Sequence, residues 1–146
     1  KSRIVNFYKK LKTKNICKIH YRYSAVKMSK YRNRIVTKYK ELPLCNPDFI
    51  YIDGPDQFNV KKDIDGISTR HKDMMPMMSD ILEFEYFYTP GTIIVIDGRA
   101  ANAKFLNDHF RRKWIYKKDK LNDQHIFYLN DPILGKYNKM QLKFYS

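Results

Sequence analysis

Two aspartates stand where a continuous apolar run stops: Asp53 after Phe49-Ile50-Tyr51-Ile52, and Asp97 after Thr92-Ile93-Ile94-Val95-Ile96. Each is followed by glycine. A carboxylate released at the end of a buried strand can take a proton from a hydroxyl or amine within hydrogen-bond reach. If the two runs are neighbouring strands, about 4.8 Å apart, the pair can share a proton or a cation. The plain alternative is that each Asp closes a backbone turn with its glycine. Asp56 and Gln57 can hydrogen-bond a polar acceptor, or close an Asx-turn around Pro55. Arg99 can bind a substrate carboxylate or phosphate, or pair with Asp97 or Asp53. His71 is an acid/base candidate in Arg70-His71, or an exposed loop residue. His20, His109 and His125 have no partner at useful spacing, and Cys17 and Cys45 make no metal spacing.

The elements that must position these groups follow from periodicity. Phe49 to Ile52 and Thr92 to Ile96 read as strands buried on both faces, as in parallel sheets. Gly54 to Lys72 is polar and aperiodic, which predicts a functional lid or a disordered segment. Asp73 is the expected cap of a helix with Pro76 in its first turn and an apolar stripe of Met74, Met77, Met78, Ile81, Phe84 and Tyr88. The methionines of MMPMM are read as core filler. Pro90-Gly91 ends that helix, and a further helix from about Asn102 carries Ala103, Leu106 and Phe110 on one face. From Lys113 the period changes to two. Trp114 to Lys117, a turn at Asp119 to Asp123, and His125 to Leu129 predict an antiparallel hairpin. Gln141 to Tyr145 is a further strand candidate. Upstream, Ser2 caps an expected helix with Ile4, Val5, Tyr8 and Leu11 on one stripe. Ile16 to Tyr21 alternates as a strand, and Arg34 to Lys38 is a short strand candidate. Strands alternating with helices predict an α/β fold with right-handed crossovers, whose ligands sit at the carboxyl ends of the strands.

The chain has 146 residues, a length suited to one domain spanning 1–146. Its net charge of +14 is uneven, because residues 1–40 hold fourteen Lys and Arg and no acid. The rest is balanced, with fifteen of each sign. Such a basic arm suits nucleic acid, an anionic substrate or an acidic partner, and its tyrosines at 8, 21, 23, 31 and 39 offer stacking surfaces. Lysine-rich composition without any ligand is the bland reading. No apolar stretch is long enough to span a membrane. The cysteines read as reduced thiols of a cytoplasmic protein. The opening on Lys1 rather than Met is read as a processed or truncated piece.

The order of elements, with FIYIDGPDQF, PGTIIVIDGR and the closing DQHIFYLN followed by LGKYN, resembles the class I S-adenosylmethionine-dependent methyltransferases over about Cys45 to Leu129. The resemblance implies a partial Rossmann-like sheet, mostly parallel with a C-terminal antiparallel hairpin, in a core of residues 45–130. It implies methyl transfer to a hydroxyl, carboxyl or amine, with Asp53 as catalytic base. In the metal-dependent branch, which resembles catechol O-methyltransferase, aspartates at the places of Asp53 and Asp97 hold magnesium. That branch has Asn after its second Asp; here Gly98 follows, with Asn102 the nearest substitute. The family's glycine-rich cofactor turn is absent, since the five glycines stand at 54, 66, 91, 98 and 135. The expectation is therefore a carboxyl-terminal portion that does not hold cofactor alone, with Ile16 to Tyr21 in the place of the family's third strand. Its Phe49 to Ile52 edge would be bare and prone to self-association. A nucleic-acid-binding module without catalysis is the alternative.

Overall fold

The β-branched and aromatic run Phe49–Ile52 forms an extended strand whose neighbour is the second apolar run, Ile93–Asp97. The computed structural model describes residues 20–43, 45–54, 56–70 and 77–132, with Met140 and Lys143. Its strands are β1 (Val26–Tyr31), β2 (Arg34–Tyr39), β3 (Phe49–Ile52), β4 (Ile93–Asp97), β5 (Trp114–Asp119) and β6 (Gln124–Leu129). Its α-helices are α1 (Asp80–Glu83) and α2 (Ala100–His109). β3 and β4 pair in parallel, Phe49 opposite Ile93 and Ile52 opposite Ile96. β6 then pairs antiparallel with both β4 and β5, giving the order β3-β4-β6-β5. The chain is thus α/β, with one mixed four-stranded sheet and a separate antiparallel hairpin, β1-β2. The tight turn after Asp119 sends β6 back between β4 and β5, so one of the sheet's three pairings is parallel and two are antiparallel.

Alternation puts Ile52, Ile94, Ile96, Phe127 and Leu129 on one face, packed against Ala103 and Leu106 of α2 and Ile81 and Leu82 of α1. Each such side chain taken out of water stabilises the fold by roughly 1.5–3 kcal/mol. The expectation that β3 is buried on both faces does not hold. Among the described residues the helices cover one face only, and Phe49 and Tyr51 on the other are 58% and 50% exposed.

Residues 56–70 are no free lid. They run along the hairpin, with the Met28 N–H donating to the Lys61 carbonyl at 2.9 Å and the Lys61 N–H donating to the Val26 carbonyl at 2.9 Å. Val60 is buried there against Val26 and Met28. The predicted strand at Arg34 to Lys38 is present as β2. Its partner β1 was not legible, because its outward positions are lysines and serine. The two-residue turn Arg32-Asn33 has φ of 46° and 62°, the primed geometry that matches strand twist.

The helix expected from Asp73 begins later. Asp73 to Pro76 lie outside the described residues, and Met77 to Ser79 precede the helix, Met78 bridging to Thr37 in parallel. They lie along β2, where the Thr37 N–H donates to the Met77 carbonyl at 2.8 Å and the Ser79 N–H to the Thr37 carbonyl at 3.1 Å. The open edge of β2 wins these backbone groups from the helix. Helix α2 and the β5-β6 hairpin stand where periodicity put them. His20 and Tyr21 are irregular, not strand. The helix expected from Ser2, the rest of Ile16 to Tyr21, and the strand expected over Gln141 to Tyr145 fall outside the described residues.

One buried carboxylate holds the connection from α2 to β5. Glu85, 2% exposed, accepts from the backbone N–H groups of Arg111 (2.9 Å) and Arg112 (2.8 Å) and from the Trp114 indole at 3.0 Å. Arg112 closes the cluster by donating to the Glu85 carbonyl at 2.9 Å and to Asp131 at 2.6 Å. Glu85→Ala leaves these donors buried without an acceptor. We expect urea denaturation followed by Trp114 fluorescence to show a loss of about 3 kcal/mol. A loss below about 1 kcal/mol would show that the cluster is not what fixes β5.

Candidate functional site

The carboxyl ends of β3 and β4 meet at one rim of the sheet. Because side chains alternate along a strand, Tyr51 and Asp53 project on the face opposite the core, as do Val95 and Asp97 beside them. The Tyr51 hydroxyl donates to the Asp97 carboxylate. That bond pushes the Tyr51 phenol up to about 12, helped by partial desolvation and by the negative charges of Asp97 and Asp53. One hydroxyl therefore feels both strand-end carboxylates. Asp53 itself is exposed, and Asp97 is half-buried.

The two glycines after these aspartates differ. Gly98 sits at φ +59°, a conformation that costs a side chain strain. Its N–H donates to the Asp123 carbonyl at 2.9 Å, which turns the chain into α2. At Gly54 a Cβ would stand 3.5 Å from the Tyr39 hydroxyl, an ordinary contact, so the space there does not itself require glycine.

Arg99 caps the start of α2 and reaches back across the rim, donating from Nη2 to the Asp53 carbonyl at 3.3 Å. Of the roles open to it, the structure shows an interaction with the Asp53 backbone. Behind the rim lies a buried acid not singled out from sequence. Asp80, 1% exposed, accepts the Tyr39 N–H at 3.2 and 3.3 Å, and burial pushes its carboxyl up to about 6. The Tyr39 phenol is raised by burial and by the Asp80 charge, with Arg99 opposing. Tyr39 thus connects the hairpin, Asp80 and the rim.

The remaining candidates separate. Asp56 accepts from the Phe58 N–H at 2.9 Å and from the Asn59 side chain at 2.7 Å, the turn geometry that was the alternative to ligand binding. Gln57 is half-buried beside it, its carbonyl accepting from the Thr69 hydroxyl at 3.0 Å. His71 lies outside the described residues. Asn102 is fully buried and accepts the Met78 N–H at 3.0 Å, so its carbonyl oxygen is committed to the fold. His125, set aside from sequence, is buried with Nδ1 2.7 Å from the Tyr116 hydroxyl, and burial lowers its pKa. The residue that sequence reasoning missed at the rim is Tyr51. Its signal was present: it stands two positions before Asp53, hence on the same face of a strand.

For magnesium, Asp53 and Asp97 supply two carboxylates, and Asp97 already accepts from Tyr51. Among the described residues no group of three or more His, Cys, Asp or Glu is placed to hold a metal ion. For S-adenosylmethionine, no glycine-rich turn exists to receive it, so the residues of this chain do not fit its cradle. No protein family, no curated protein and no solved structure matches this chain. Among the described residues no helix is long and apolar enough to cross a membrane.

The Tyr51–Asp97 bond has a direct spectroscopic consequence. A phenol that donates to a carboxylate is held neutral, so removing the charge lets it ionise sooner. In Asp97→Asn we expect the Tyr51 ring-carbon NMR titration to move from about 12 down toward the ordinary value near 10. An unchanged midpoint would show that the two groups do not meet.

Proposed function

We propose that this chain is the acceptor-side portion of a class I, Rossmann-like S-adenosylmethionine-dependent methyltransferase, acting on a hydroxyl, carboxyl or amine. The observation that supports it is that Asp53 and Asp97 follow adjacent parallel strands at the same end, with the Tyr51 hydroxyl bonded to Asp97 and feeling the charge of both. In this reading exposed Asp53 is the general base toward the acceptor proton. The Tyr51–Asp97 pair and Arg99 hold the acceptor's polar groups, with Asp56, Gln57 and His71 at the substrate side. Methyl transfer asks little else of a protein than in-line positioning of acceptor and donor. The donor supplies an activated methyl group; no residue here is assigned to holding it. Magnesium on Asp53 and Asp97, its other positions filled by water and substrate, is a variant of the same reading. Activity abolished by a chelator would select it, and activity indifferent to the chelator would leave Asp53 as the base. The reading also takes the outer edge of β3, unpaired among the described strands, as the place of the next strand and of self-association when bare. Cytoplasmic placement accords with Cys45, an exposed free thiol.

The test is calorimetric titration of S-adenosylmethionine into the full protein that carries this chain. Binding heat is expected. In the same polypeptide Asp53→Asn should lower methyl-transfer turnover by about 10²–10⁴-fold and leave cofactor affinity unchanged. Absence of heat would refute the assignment.

A second reading has its own observation. Tyr21 and Tyr23 are 86% and 83% exposed on either side of exposed Arg22, a surface on which bases can stack. If the basic segment binds nucleic acid, log affinity falls steeply and linearly with log salt. Affinity independent of salt would remove this reading.

A further inference from the structure

The sheet has one dressed face and, among the described residues, one bare one. On the bare face the register aligns side chains in rows across the four strands. Phe49, Ile93, Tyr128 and Ile115 form one row, and they are 58%, 36%, 41% and 50% exposed. The next row toward the carboxyl rim is Tyr51, Val95, Ile126 and Lys117. The rim row holds Asp97, Gln124 and Asp119, with Asp53 one step past β3. At the opposite end the Asn130 N–H donates to the Lys113 carbonyl at 2.9 Å, so the pairing of β5 with β6 runs on by one position. Alternation puts Lys113 and Asn130 on the same face as Ile115 and Tyr128. An apolar area across four strands is more than scattered surface hydrophobes, and strands paired in parallel are ordinarily covered on both sides.

The charges on this face say what fits it. The chain as a whole carries +14, yet here three aspartates stand at one end and Lys113 at the other. A second copy stacked with its strands running the same way would set aspartates on aspartates, and like charges in contact are costly. Turned about an axis across the strands, the second copy runs its strands the opposite way. With that axis between the Phe49 and Tyr51 rows, Phe49 of each copy lies over Tyr51 of the other, Ile93 over Val95, and Tyr128 over Ile126. Ile115 meets the aliphatic stem of Lys117. Asp119 of each copy then comes over Lys113 of the other, and Gln124 over Asn130. Apolar groups meet apolar groups, amide meets amide, and the opposite charges meet twice. Such a contact uses the same patch on both copies and closes as a dimer. Stacked sheets hold their strand directions within about 30° of one another at a spacing of roughly 10 Å, which preserves this row-on-row match.

We propose that two copies of this chain associate through their bare sheet faces, strands antiparallel, about a two-fold axis crossing the strands between Phe49 and Tyr51. This does not depend on the methyl-transfer reading and is measured without cofactor. The chain carrying Tyr128→p-benzoylphenylalanine is mixed with the isotope-labelled wild-type chain and irradiated in native buffer, and the products are mapped by mass spectrometry. The expected product has the mass of two chains and joins position 128 to a labelled peptide containing Ile93–Asp97, Trp114–Asp119 or Gln124–Leu129. One-chain products alone would give the face to a segment of the same chain. Two-chain links only to other peptides, or no product beyond a denatured control, would leave the face without a second copy. Each of those results overturns the proposal. The orientation is tested by sedimentation equilibrium. Lys113→Glu, which sets like charges together at both ends of the contact, should weaken the dimer by at least about tenfold with unchanged far-UV circular dichroism. An unchanged dissociation constant would refute the antiparallel stacking.

Discussion

The parallel pairing of β3 with β4 is the constraint from which the rest of the arrangement follows. A strand's side chains alternate, so the register that sets Ile52 opposite Ile96 sends Ile52, Ile94 and Ile96 into the core. By the same stroke it sends Tyr51, Asp53, Val95 and Asp97 to the opposite face. A slip of one residue would bury the aspartates and expose the isoleucines, an exchange the hydrophobic core forbids. The site is thus not assembled by loops. It is the polar remainder of a register chosen by apolar burial, and the two carboxylates come to one rim because the isoleucines beside them must go inward.

Two buried acids then fix what lies around that sheet. Glu85 gathers two backbone N–H groups and the Trp114 indole, which sets where β5 starts and so where β6 must insert. Asp80 takes the Tyr39 N–H and ties the separate hairpin to the first helix. A buried carboxylate is costly unless its oxygens are filled. Glu85 is filled by several donors. Asp80 accepts backbone N–H groups only, and burial outweighs them to raise its carboxyl to about 6. The carboxyl therefore binds its proton more tightly in the folded chain, and the stability this lends fades as pH rises from about 4 through about 6.

Where one short-range signal dominates, the sequence was readable. The apolar runs before Asp53 and Asp97, the stripe of α2 and the period-two pattern from Trp114 to Leu129 all became the elements they suggested. Local pattern failed wherever a partner distant in the chain decided the outcome. Met77 to Ser79 look helical, yet the free edge of β2 takes the Met77 carbonyl and the Ser79 N–H before the helix starts. Lys27 and Ser29 hide β1, because nothing in Val26 to Tyr31 discloses that Arg34 to Tyr39 lies opposite. The polar stretch after Gly54 reads as a lid, and only the hairpin shows why Val60 is buried. At the site, Asp53, Asp97 and Arg99 were legible as types at strand ends, and the face of Tyr51 followed from its spacing to Asp53. The partner of Tyr51 was not legible, since it depends on cross-strand register, nor was Asp80, which depends on a contact forty-one positions away.

The bare face gives the pairing its weight for function, because a register that exposes two carboxylates also exposes the aromatic and aliphatic side chains beside them. The most direct measurement is the pattern of backbone proton–proton Overhauser contacts between the two strands in the labelled protein. A parallel ladder with Ile50 beside Ile94 and Ile52 beside Ile96 is the predicted result. Contacts shifted by one position, or an antiparallel pattern, would place Asp53 and Asp97 on opposite faces or at opposite ends and contradict the account at its base.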